Sequence, residues 1–104
     1  MLDHQKINQL RNDLGAEGFA EIVDIFYEEV EEVFGRIQND GASGTDMHFL
    51  KGSGANVGFA AFSKTCQIAE HSLNEGAQAD LDAVRSSFYQ SKQAFVAEFL
   101  EDQS

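Results

Sequence analysis

The chain has no proline, a single cysteine, and only seven basic residues against eighteen acidic ones in 104 positions. Without proline, nothing interrupts a helical run by removing a backbone N–H or crowding the carbonyl four residues back. One cysteine cannot close an internal disulfide, so Cys66 reads as a small core residue, and a cytoplasmic location is expected. A formal net charge of −11 leaves no basic stripe for a nucleic-acid backbone. Apolar runs are only a few residues long and the opening Met1-Leu-Asp-His-Gln-Lys6 has no apolar core, so neither a membrane span nor a secretory leader is expected. A phosphate-cradling glycine loop and a dinucleotide fingerprint are also missing, which argues against an ATP site. No histidine follows a glutamate by three residues, the spacing that bundle di-metal centres use. One domain spanning residues 1–104 is expected.

What is present reads as helix. A short first helix runs from Asp3 to Asp13, with Asp3 as its cap, Ile7, Leu10 and Leu14 turned inward, and Gly15 as its end. A second extends from Glu17 to Gln38, where Phe19, Ile22, Val23, Phe26, Val30, Val33, Phe34 and Ile37 recur at three-to-four spacing. Between Ala16 and Asp40 stand eight acidic residues and one basic one, Arg36. Such a face is mainly solvated, and part of it can steer a basic partner. Asn39 to Thr45 is a turn cluster, after which Asp46 sits in the first turn of the next helix, where its charge suits the helix dipole. A further helix places Phe62, Cys66, Ala69 and Leu73 inside and stops at Gly76. Asp80 opens the last, with Leu81, Val84, Phe88, Phe95 and Phe99 inside and Tyr89, Val96 and Leu100 as further inner candidates. The expected fold is all-α: an antiparallel up-down four-helix bundle with a short extra N-terminal helix, its core supplied largely by nine phenylalanines. One bundle uses the whole apolar inventory, so a monomer is expected.

The chemistry concentrates in His48-Phe-Leu-Lys51-Gly52-Ser-Gly-Ala-Asn-Val-Gly58. At about 100° per residue, Lys51, Gly52, Ala55 and Phe59 fall within about 60° of His48. Met47, Leu50, Ser53, Gly54 and Val57 form the opposite, core-facing side. The imidazole therefore faces solvent among residues too small to cover it. Glycine inside a helix costs about 0.5–1 kcal/mol relative to alanine, so three of them here need a reason. Gly52, one turn after His48, leaves room for something bulky to approach the ring; Gly54 and Gly58 read as close helix-packing positions. Imidazole is a covalent nucleophile with a free lone pair near neutrality, and Lys51 offers a mobile point charge that can follow a phosphoryl group. Phosphoryl transfer is mostly positioning and electrostatics, which these residues supply. Phe49, Ala55, Asn56 and Phe59, on or beside the same face, are candidate docking residues, although Phe49 reads equally as a packing residue. Arg36 and Gln38 lie late in the second helix, within possible reach of the site. His4 and His71 read as ordinary surface histidines.

His48, Lys51, Gly52 and Gly58, the run Lys-Gly-Ser-Gly-Ala-Asn-Val-Gly, and then Phe62, Cys66 and Glu70 resemble the signature of histidine-containing phosphotransfer (HPt) domains. The chain departs from it at Gly54, where members often carry serine, and at Phe59, where they often carry alanine. The resemblance implies that His48 accepts a phosphoryl group from the aspartyl phosphate of a response-regulator receiver domain, including receivers attached to hybrid histidine kinases, and passes it to another receiver. It also implies that the protein is a carrier with no cofactor of its own, since the receiver brings the magnesium and most catalytic groups. No ATP domain fits beside the bundle in this length. The competing expectation is an acidic helical bundle that regulates partners by binding alone.

Overall fold

The structure, a computed structural model, describes residues 1–100, of Leu100 only the backbone, so the inward side chain expected there lies outside the described residues. Four helices and no strand occur among the described residues: α1 (His4–Asp40), α2 (Gly44–Asn56), α3 (Ala60–Asn74) and α4 (Leu81–Phe95), the last continued by a π-helical turn at Val96–Leu100. Asp3 does cap α1, its carboxylate accepting from the Lys6 amide at 3.1 Å.

The boundary expected at Gly15 is a kink between two helical segments of α1, with no loop between them. α1 continues through Gly15, which breaks the helical backbone at one residue only (φ 75°, ψ 169°). That conformation suits glycine, which has no Cβ to clash. A straight helix of this length would reach about 55 Å, more than the 44 Å long dimension of the molecule, so the break redirects the arm. The break also ends the helical phase at Leu14, which is exposed rather than inward. Ile22, at the edge of the long stripe, is exposed too, as is Tyr89, whose hydroxyl donates to Glu31 at 2.7 Å.

The helices pack as a bundle around a core rich in phenylalanine. Phe88 is fully buried and its ring centroid lies 5.3–5.9 Å from those of Phe62, Phe34, Phe26 and Tyr27. α2 and α3 run antiparallel, since Gly44 meets Asn74 at one end, His48 meets Glu70, and Gly54 meets Phe62 near the other. At Gly54 a Cβ would come within 2.9 Å of the Phe62 ring, so a serine there would displace the ring.

α2 ends at Asn56, earlier than the wheel through Phe59 supposes. Gly58 then takes a positive φ of 86° and lies against Ile7 and the Asp3 carbonyl. It is thus a turn position beyond the end of α2 as well as a close approach to α1. Two backbone bonds fasten the chain's start to this turn, Asp3 N–H to Gly58 O at 2.8 Å and Ala61 N–H to Met1 O at 3.0 Å.

The first turn of α2 is held by a reciprocal cap. Asp46 N–H donates to Ser43 Oγ at 3.2 Å, and Ser43 N–H donates to Asp46 Oδ2 at 3.1 Å. Arg36 of α1 donates to the other Asp46 oxygen at 2.6 Å, and this bond above all holds the Asp46 carboxyl below the ordinary 3.8. Asp46 therefore contributes stability that is complete above about pH 4 and lost as the pH falls through its lower folded value. Asp46→Asn should cost about 1 kcal/mol at neutral pH and flatten the acid limb of a denaturation-versus-pH curve. An acid limb unchanged by the substitution would remove Asp46 from the cap's energetics.

Candidate functional site

α2 lies with Met47, Leu50 and Gly54 against the core, and this phase turns His48 outward. Its side chain is 68% exposed. Nδ1 lies 3.0 Å from Glu70 Oε2 on α3, and the other Glu70 oxygen lies 3.0 Å from Lys51 Nζ. One carboxylate, itself only 17% exposed, thus joins the two candidate residues.

The protonation pattern follows from this geometry. The bond from Lys51, then the bond from His48, hold the Glu70 carboxyl below its usual range. An ionised carboxylate only accepts, so Nδ1 carries the proton and donates it. In the neutral ring, Nε2 then holds the free lone pair, and it is the nitrogen directed away from α3. Glu70 thereby fixes the tautomer as well as the ring's orientation, the role a carboxylate plays beside a functional imidazole.

The space around the ring is open on one side and structured on the other. A Cβ at Gly52 would meet nothing within 4 Å, so a bulky group can approach over that position. On the α3 side, Ser63 Oγ donates to the Lys51 carbonyl at 2.8 Å, tying α2 to α3 about two turns of α3 before Glu70.

The structure thus brings His48, Lys51 and Gly52 to one surface, with Ala55 and Asn56 exposed further along α2 and Phe49 half-exposed beside His48. Phe59 does not belong there. It is fully buried and packs edge-on to Phe26 at 5.0 Å between ring centroids, because the turn at Gly58 swings it into the core. Arg36 is engaged with Asp46. His4 and His71 are exposed and lie beside Glu98 and Glu75 respectively. Glu70, named in the resemblance without a role, is the side chain that the structure adds to this group. The available signal was its position four residues after Cys66, an acidic side chain beside the inner stripe of α3. Among the described residues no group of three or more His, Cys, Asp or Glu could hold a metal ion, and no helix is long and apolar enough to cross a membrane.

The family model of the Hpt domain matches residues 21–97. No curated protein and no solved structure matches the chain.

Proposed function

Because the chain belongs to the Hpt domain family, whose members carry phosphoryl groups through histidine in phosphorelays and are not kinases, we propose that His48 accepts a phosphoryl group from the aspartyl phosphate of one receiver domain and delivers it to another. The observation that carries this reading is the exposed imidazole with Nδ1 tied to Glu70 and Nε2 free. Nε2 attacks phosphorus, the bond from phosphorus to the aspartyl oxygen breaks, and the receiver recovers its carboxylate. Because Nδ1 keeps its proton, the phosphorylated ring is cationic at that moment, and Glu70 faces the new charge. Lys51 supplies donors to the phosphoryl oxygens. The magnesium and the remaining catalytic groups belong to the receiver. We read the arm before Gly15 as serving the bundle as a short helix of its own, and the protein as a cytoplasmic monomer.

The test is transfer from a panel of phosphorylated receiver domains, following an acid-labile, alkali-stable label and mapping it to His48. Binding of receivers with no label on the protein would replace this reading by regulation through binding alone.

Glu70→Gln keeps an acceptor for Nδ1 but removes the charge, and Glu70→Ala removes both. Phosphoryl uptake should fall about tenfold in the first and further in the second, the loss of a charge-assisted bond in the transfer state. Imidazole nitrogen shifts should show the Nδ1–H tautomer in the wild type and a mixture in Glu70→Ala. An unaltered tautomer would assign Glu70 to packing only.

Gly52→Leu separates access from stability. A leucine in an exposed helix interior is favoured over glycine by about 0.5–1 kcal/mol, so the bundle should become more stable. Transfer should nonetheless drop at least about tenfold, the equivalent of 1.4 kcal/mol in the barrier. Full transfer by Gly52→Leu would mean the space beside the ring is not used.

A further inference from the structure

α1 reverses on a single residue. Lys6 and Leu10, before Gly15, border the same depression as Ile22, Ile25 and Phe26, after it, so the arm of residues 4–14 folds back along the body of its own helix. Gly18 shows how tight the bend is. A Cβ there would stand 3.3 Å from that of Leu14, where residues four apart on a regular helix keep about 5–6 Å. Gly15 itself, at φ 75° and ψ 169°, occupies a region open essentially to glycine alone. The chain has no proline, so a helical Gly15 would make residues 4–40 one continuous helix.

Straightening takes the arm off its seat. In the bent form Ile7 is fully buried and lies against Gly58, while Phe26 packs on neighbouring Phe59 at 5.0 Å between ring centroids. In a continuous helix residues 7 and 26 stand about 28 Å apart, so one chain cannot bring both to the same turn. Lost with that contact would be the bond from the Asp3 amide to the Gly58 carbonyl, the 2.8 Å approach of His4 Nε2 to Glu98, and the stacking of Arg11 over Phe99. A second copy restores all of them. A two-fold axis crossing two straight α1 helices near Gly15 sets them antiparallel. Each arm then runs along the other copy's body in the direction it follows along its own when bent. Leu14, 41% exposed in the monomer, comes to lie beside the axis.

We propose that the arm is an exchangeable element: α1 straightens at Gly15, and two copies of the chain trade residues 1–14, each seating its arm on the other's Gly58 turn and Phe99. The exchange keeps the arm's contacts and changes only the hinge, so the hinge and the concentration of chain set the balance. A seat tethered through one residue has an effective concentration of about 1 mM or more, which keeps the wild type monomeric in dilute solution. His48 lies on α2, outside the exchanged segment, and each body keeps its own. The inference does not depend on the phosphotransfer reading.

Gly15→Ala removes the residue that permits the bend and supplies the strongest helix former. The dimerisation constant, read by sedimentation over a concentration series, should rise at least about a hundredfold over the wild type, a factor of ten from each hinge. To identify the exchange, His4→Cys and Glu98→Cys are combined and bridged with a short bis-maleimide, the native Cys66 being buried. Denaturing gels should show a cross-linked monomer in the chain with Gly15 and a covalent dimer in the chain with Gly15→Ala. A Gly15→Ala protein that stays monomeric overturns the proposal, as does a dimer whose two cysteines are joined within one chain. Should Gly15→Ala not fold, the cysteine pair in the chain with Gly15, refolded from denaturant at about 1 mM, decides: covalent dimer beside monomer upholds the exchange, and monomer alone overturns it.

Discussion

His48→Gln is expected to acquire no phosphoryl label from any receiver or from phosphoramidate, while unfolding at the same denaturant concentration as the wild type. The two halves of this result have separate causes. Uptake needs a nitrogen lone pair held outward, and an amide nitrogen supplies none. Stability is indifferent because the side chain is 68% exposed and its recorded partner is Glu70, to which a glutamine amide can also donate. Surface substitutions of this kind stay within about 0.5 kcal/mol, and glutamine suits a helix at least as well as histidine. Chemical denaturation beside the labelling assay gives both readings from one preparation. Retained label would place the acceptor elsewhere in the chain.

The largest expected loss of stability belongs to Phe88→Ala. Phe88 is wholly buried on α4, where its ring meets Phe26, Tyr27 and Phe34 of α1 and Phe62 of α3. Several of these contacts are edge-to-face, the arrangement that adds to simple burial. Truncation would remove the transfer free energy of the ring and leave a cavity bounded by three helices, a cost of about 3–5 kcal/mol. Against a total of about 5–15 kcal/mol for a domain of this kind, the protein becomes marginal. A denaturation midpoint shifted by less than about 1 kcal/mol equivalent would mean that the core closes over the gap.

The helices were legible because their signals are local. Asp3, Ser43 and Asp80 cap α1, α2 and α4 with their own side chains, and positive-φ glycines at 41 and 76 follow α1 and α3. Two boundaries were not legible, and both turn on glycine. Gly15 ends one helical segment as expected but the next follows at once across a kink, and Gly58 packs closely as expected but from a turn beyond α2. Composition cannot distinguish these uses, since the backbone freedom is the same in each. The error at Gly58 carried Phe59 onto the wrong surface, because a helical wheel stays valid only while the helix lasts. His48, Lys51 and Gly52 share one helix, so their common face follows from period alone. Glu70 joins them across the α2–α3 interface, a contact set by the register of two helices 22 positions apart in sequence. The exposed apolar row at Ile22 and Ile25 was hidden for a related reason. Ile22, at core spacing, reads as core until the neighbouring helix is seen to stop short of covering it, and Ile25 lies outside that spacing.

The bonds from Asp3 to Gly58 and from Ala61 to Met1 give the first residues a part in setting the exit of the histidine-bearing helix. The family match begins at residue 21, so a fragment trimmed to those bounds would remove the partners of the Gly58 carbonyl and the Ala61 amide and uncover the surface that Ile7 seals. The unit that can be recognised across the family is therefore smaller than the unit that holds this helix in place, and cloning boundaries, affinity tags or fusions at the amino terminus act on the same turn.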